Sequence, residues 1–206
     1  MQIGLYYKLC RFVVEIRTIN VHNVMELSAL RRDCAVKQQR GLHFILASVF
    51  IWAGILALHL SSLSLGAKNL FTFCLSAPLM PIAYGLSRLL KIDFQNKANP
   101  LTPLGILFSV NQMLYLLIAM WVFSALPEKM LMVYAMIFGA HLMPYSWLYQ
   151  SRSYMLLSIL IPILSLIVGL TQTSAVLAGM MLGIEVVFSL ALVWENKRTI
   201  RRSLTV

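Results

Sequence analysis

Charge is scarce in this sequence, and negative charge scarcest: 7 Asp and Glu stand against 17 Lys and Arg in 206 residues, and charged residues make up 12%. A soluble domain carries about 25% charged and about 45–50% apolar residues. Here 60% are hydrophobic and the mean hydropathy is +0.80. Too little polar surface is present to clothe a water-soluble core, which excludes an ordinary soluble domain. Cysteine is equally sparse. Cys10, Cys34 and Cys74 lie far apart, at spacings that fit neither a disulfide framework nor a metal cluster. The sequence also lacks an HExxH metal pair, a Ser or Cys nucleophile motif and a glycine-rich phosphate loop. It therefore predicts no cofactor, no metal and no enzymatic activity. No small-residue cleavage site follows a short apolar core near the start, so a signal peptide is not expected.

What is abundant is long apolar sequence. Six runs, 42–64, 69–90, 102–125, 130–149, 151–170 and 174–195, each reach the roughly 17–25 residues that a helix needs to cross a bilayer core. A transmembrane β-barrel would show short alternating segments instead of unbroken runs. The expected fold is all-α, a polytopic membrane bundle of six transmembrane helices. Thr102-Pro103 reads as a helix N-cap followed by proline at the first helical position, and Pro127 breaks the chain between the third and fourth runs. Apart from Lys68 and Lys129, every Lys and Arg falls in the amino-terminal tail, the second and fourth loops or the carboxyl tail. The positive-inside rule then places both termini in the cytoplasm, as an even number of spans requires. Residues 1–40 form a cytoplasmic tail, 41–195 the membrane domain and 196–206 a basic cytoplasmic tail. The net charge of +10 is read as a topology signal and an affinity for an anionic inner leaflet, about 1 kcal/mol per basic side chain, with no nucleic-acid binding. Trp121, Trp147 and Trp194 suit interfacial belts. Trp52, near the middle of the first run, does not.

The tail before residue 41 is of another kind. Asn23-Val24-Met25-Glu26 has capping-box spacing and predicts a cytoplasmic helix from about 24 to 40. Upstream, IGLYYKLCRFVVEI gathers Lys8, Arg11 and Glu15 on one face of an otherwise apolar helix. Two readings of residues 1–24 stand: a helix lying on the inner leaflet, or an extension upstream of a start at Met25. His22 is a tail residue, and His43 and His59 are expected at the interface.

Glu185 lies near the centre of the sixth run, where a charged carboxylate costs on the order of 2.5–3.5 kcal/mol on insertion scales. It must face protein or water, pair, or remain protonated. His141 lies at similar depth in the fourth run, and Asn111 and Gln112 in the third. At about 100° per residue, Tyr134, His141, Tyr145 and Arg152 form one stripe descending toward the cytoplasm, and Ser48, Trp52 and His59 form another. Glu185, His141, Asn111, Gln112, Tyr145 and Arg152 are the candidate ligand or proton site. Ala175, Gly179 and Gly183 offer a small-residue packing face, and Glu185 points nearly the opposite way. Both faces need cover from lipid: α-helical neighbours, a cavity or another subunit. Pro78, Pro81, Pro144 and Pro162 lie within spans, each freeing a carbonyl one turn earlier. The segments SAPLMPIAYGLSR and GAHLMPYSWLYQSR echo one another, as a duplicated hairpin would. Three readings follow: a permease-like or proton-coupled transporter with a mid-membrane polar site, a non-transporting accessory or regulatory subunit, and a structural hydrogen-bond network. A homo-oligomer or a membrane partner is compatible with each.

RGLHFILAS after a charged helix, LLKIDFQNKANPLTPLG in the second loop and GAHLMPYSWLYQS in the fourth span together resemble an uncharacterised bacterial family of small polytopic membrane proteins, grouped as a domain of unknown function. The resemblance covers about 25–195 and has no counterpart for residues 1–24. It implies a multi-pass protein of the bacterial cytoplasmic membrane, and it carries over no activity or ligand.

Overall fold

The computed structural model describes residues 26–204. The expectations for residues 1–24, for Met25 as a start and for a cap at Asn23 lie outside them. Among the described residues every regular element is helical, with no strand. Helix α1 covers 26–37. It is followed by α2 (Leu42–Leu60), α3 (Leu65–Ser76), α4 (Leu79–Leu89), α5 (Thr102–Ala125), α6 (Met130–Ala140), α7 (Met143–Leu148), α8 (Arg152–Thr171) and α9 (Ser174–Leu204). Five helical stretches are long and apolar enough to cross a membrane: Gln39–Leu60, Thr102–Ala125, Pro127–Leu148, Arg152–Thr171 and Ser174–Thr199. The α3–α4 pair, bent by 40°, makes a sixth if it is one broken span.

Where the chain bends, proline explains it. Pro78 stands at the N-cap of α4 and Pro81 in its first turn, so the amide that would bond the Ala77 carbonyl is missing. Pro144, in the first turn of α7, removes the partner of the Ala140 carbonyl in the same way, and α6 stops there. The two echoing segments thus break at nearly equivalent points. Pro162 sits inside α8, which runs on without a break. Helices also start where local chemistry predicts. Ser64 accepts from the Ala67 amide ahead of α3, and Ser151 from the Tyr154 amide ahead of α8. Thr102 differs from expectation, because it is the first helical residue and Leu101 occupies the cap. Its hydroxyl donates instead to the Asn96 carbonyl at 3.0 Å.

The bundle has two ends, each pinned by hydrogen bonds. At one, Lys68 Nζ donates to the His59 carbonyl (3.2 Å), Asn69 Nδ2 to the Pro127 carbonyl (2.8 Å) and Lys129 Nζ to the Gly169 carbonyl (2.9 Å). At the other, α1 is clamped by the loop before α5. Asp33 accepts from Asn96 Nδ2 (2.9 Å) and Asn99 Nδ2 (2.8 Å) and pairs with Lys37 (2.8 Å). These bonds hold the Asp33 carboxyl down at about 2, with Asn96 the largest contributor. Arg31 donates to the Trp147 carbonyl at 2.8 and 2.5 Å and lies 4.4 Å over its ring.

The same end holds an unusual turn. Gln39, Arg40 and Gly41 have φ of 45°, 53° and 68°. Left-handed backbone at two residues with side chains costs on the order of 1–3 kcal/mol each, and bonds from the Arg40 side chain hold it there. Its guanidinium donates to Asn196 Oδ1 (2.6 Å) and Thr199 Oγ1 (2.9 Å) and lies 3.4 Å from Glu195. Glu195 in turn accepts from Ser151 Oγ and from the Ser153 amide and hydroxyl, tying α9 to the α7–α8 junction. At Gly41 an added Cβ would come within 3.1 Å of Tyr154 Oη and 3.2 Å of Tyr149. Glycine is favoured there by its positive φ, and a Cβ would crowd both tyrosines.

Candidate functional site

Between α2, the α3–α4 bend, α5 and the α6–α7 break lies a cavity of about 450 Å³. Its size is within the range of small-molecule sites, about 300–1,000 Å³. No Asp, Glu, Lys or Arg lines it. Apolar side chains such as Phe44, Phe73, Leu79, Met80 and Leu116 form most of the wall.

The polar groups are few and mostly tied to the protein. Ser76 Oγ and Tyr134 Oη are 2.6 Å apart, and Ser109 Oγ and Tyr145 Oη 2.7 Å. Tyr145 also donates to the Gly105 carbonyl, Tyr149 to Gln38 Oε1 (3.0 Å) and Tyr154 to the Arg40 carbonyl (2.9 Å). The three tyrosines form one aromatic cluster, with centroids 5.8–6.2 Å apart. This floor rests on the strained turn at 39–41. His141 lines the same space, with its Nδ1 2.5 Å from the Phe138 carbonyl. Nδ1 therefore carries hydrogen in the neutral ring, and Nε2 is its acceptor nitrogen.

Glu185 is fully buried behind this wall, on the face of α9 that packs against α2. Its Oε2 is hydrogen-bonded to Ser48 Oγ, and Ser48 lines the cavity. One hydroxyl hydrogen is here asked to serve two acceptors, since Ser48 Oγ also lies 2.7 Å from the Ile45 carbonyl. A protonated Glu185 resolves the count: its hydroxyl donates to Ser48 Oγ, which donates to Ile45. A carboxylate takes the serine hydrogen and leaves the carbonyl to the helix alone. The other carboxyl oxygen, Oε1, is buried without a partner among the described residues. The pair therefore has two hydrogen-bond patterns, one for each protonation state.

The structure gathers some of the predicted site and disperses the rest. His141, Gln112 and Tyr145 share the cavity, and Glu185 stands one hydrogen bond behind it. Asn111 does not join them: it is exposed on the outside of α5, because one residue along a helix turns about 100° away from Gln112. Glu185 bonds neither His141 nor Asn111 but Ser48. Arg152 is exposed and outside the cavity wall, because the chain breaks at 149–151 and α8 restarts the helical phase before it continues the stripe. Of the packing glycines, Gly179 approaches only Leu56, at 3.8 Å from an added Cβ, and Gly183 is exposed with nothing near. The Glu185 face is the covered one, packed against α2. Pro78, Pro81 and Pro144 shape the cavity through the bends beside it. His43 and His59, expected at the interface, are buried, His43 against Phe44 and Phe94.

Sequence reasoning missed Ser48 as the partner of Glu185, although the spacing of Ser48, Trp52 and His59 had marked that face. Trp52 has its reason here: it is buried against Tyr134 and Phe138. The Arg40–Glu195–Asn196 network left no local signal, since Arg40 lies more than 150 residues from both partners.

The described residues are all helical, with five helices, or six counting the bent pair, long and apolar enough to cross a membrane, which is compatible with a membrane protein. Over residues 27–195 the chain matches the family of unknown function DUF7010, and it belongs to that family. No curated protein and no solved structure matches it.

Proposed function

We propose that this protein is a small permease-like, proton-coupled membrane protein with six spans and both termini cytoplasmic. In this reading the Ser48–Glu185 pair is its protonatable element, and the cavity holds an uncharged, largely apolar solute. One observation carries the reading: a fully buried carboxyl separated from a ligand-sized cavity by a single serine hydroxyl. An intramembrane ionisable group is by default a functional-site candidate, as in proton relays and ion pathways. The two hydrogen-bond patterns of Ser48 give the carboxyl two states without moving a helix. Gln112 and His141 offer the cavity an amide and an imidazole for orienting a solute, and the absence of charge on its wall disfavours ions.

The test uses purified protein in liposomes carrying an internal pH dye, with a potassium-valinomycin potential as driving force. Wild type is expected to pass protons, Glu185→Gln to abolish the flux, and Ser48→Ala to cut it about a hundredfold or more, the usual weight of a positioned proton-transfer group. A wild type that passes neither protons nor any of a panel of neutral lipophilic solutes, with Glu185→Gln altering folding alone, overturns the reading. A second reading, an accessory or regulatory subunit, draws on the exposure of α5, of whose most apolar stretch only 11% is buried. Co-purification of a different membrane protein crosslinked to α5 would favour it.

A further inference from the structure

Helix α5 is the least covered of the candidate spans: 11% of its most apolar stretch is buried, against 28% to 56% in the other four. Leu107, Leu114, Ile118 and Trp121 are each more than half exposed. Together with Asn111 they recur at intervals of 4, 3, 4 and 3 residues. That is the a/d repeat of a left-handed helix pair, with Asn111 alone polar and in an a position. Leu107, Asn111, Leu114 and Ile118 fall within an arc of about 60°. Of the α5 residues that line the cavity, Ser109, Gln112 and Leu116 lie on the opposite side, while Ile106, Val110 and Met113 lie between, with Val110 next to the stripe. None of Leu107, Asn111, Leu114, Ile118 and Trp121 lines the cavity.

Asn111 is exposed and makes no hydrogen bond among the described residues. It is the tenth of the 24 residues of α5, about 14 Å along the helix by its rise. That places its amide in the hydrocarbon layer, where no water satisfies it. Side-chain amides bond across membrane helices, and an asparagine is its own complement, with a donor NH₂ and an acceptor oxygen. Two copies of one membrane protein share one orientation, so their α5 helices run parallel. In a parallel pair, a positions face each other at equal depth. A two-fold axis through that point pairs each amide with its copy, as an isologous interface demands. No other partner is guaranteed an amide at this depth.

We infer that the protein is a homodimer held by its α5 helices, with Leu107, Leu114, Ile118 and Trp121 packed across the axis and Asn111 paired with Asn111 of the second copy. The inference rests on the membrane assignment and not on transport.

Photocrosslinking in intact membranes tests it. Benzoylphenylalanine placed singly at 107, 114 or 118 of the full chain is expected to give a product of twice the chain mass. At 106, 113 and 117, on neighbouring stripes, the yield is expected to drop severalfold. In detergent, Asn111→Leu is expected to weaken the dimer about three- to tenfold, the range for one interhelical amide bond, and Asn111→Gln to retain it. Three outcomes overturn the inference. They are a product containing a different protein, a yield without the 4-3 period, and a monomer in membranes at every position. A dimer unaffected by Asn111→Leu but with the expected crosslink period overturns the amide pairing and leaves the seam.

Discussion

At the scale of single residues, packing separates glycines that the sequence treats alike. Gly183 was the expected contact residue, yet its surroundings are open. Gly139 and Gly169, on α6 and α8, carry the close approach instead. An added Cβ at Gly139 would fall 2.6 Å from both Ile161 and Pro162, and one at Gly169 would fall 2.4 Å from Met132. Gly139 abuts a proline ring that cannot rotate away, so Gly139→Ala must push the helices apart. We expect a loss of about 1–3 kcal/mol, read as a lower midpoint of thermal unfolding in detergent. Gly183→Ala is expected to do the reverse, stabilising by up to about 1 kcal/mol through helix propensity. The reason the sequence misled is physical: glycine content marks where close approach is allowed, and only the crossing partner decides where it happens. Glu185 was legible for the opposite reason. Its cost in lipid is so large that shelter from the hydrocarbon was required, although its partner, Ser48 on a helix 137 residues away, was not legible.

Among elements, the long apolar runs were the most legible feature, because a membrane imposes one length scale and one composition. The interruptions at Pro78–Pro81 and Pro144 were legible too, since proline removes an amide, whereas α8 runs through Pro162. How α1 attaches to the bundle was not. Its tether is the Asp33 carboxyl, gathering two loop asparagines and Lys37. Its pKa lies at about 2, below the usual 3.8. A depressed folded value means that the stabilisation is complete above the unfolded pKa and is lost as pH falls through the folded one. The docking of α1 should thus be intact above about pH 4 and fail progressively toward pH 2. Hydrogen exchange of the amides in 26–37, corrected for intrinsic rates, is expected to show protection declining over that window. In Asp33→Asn the decline is expected to flatten. An unchanged profile would show that other contacts, Arg31 on Trp147 among them, hold the helix.

For the whole molecule, the placing of the charges and the pinning of the two ends can be set against one expected arrangement. The rule on loop charge sorts Lys68 and Lys129 from every other basic residue. The bonds of these two lysines lie at one end of the bundle, to the His59 and Gly169 carbonyls. Arg31, Lys37, Arg40 and the loop after α4 meet at the other. A membrane would impose such a division, since the cytoplasmic side retains Lys and Arg. The expected topology is six crossings, with the 61–64 and 126–129 connections outside and the 90–101 loop inside. In a chain whose three cysteines are replaced by serine, Leu63→Cys and Glu128→Cys are expected to react with an impermeant maleimide on intact cells. Lys97→Cys is expected to react only after permeabilisation. Should Lys97→Cys label in intact cells while Leu63→Cys does not, the molecule is inverted, and α1 with its Asp33 clamp faces outward. Should Leu63→Cys and Lys97→Cys both label, the placing of the 61–64 connection and the 90–101 loop on opposite sides of a membrane is overturned, and the bent α3–α4 pair is not a crossing.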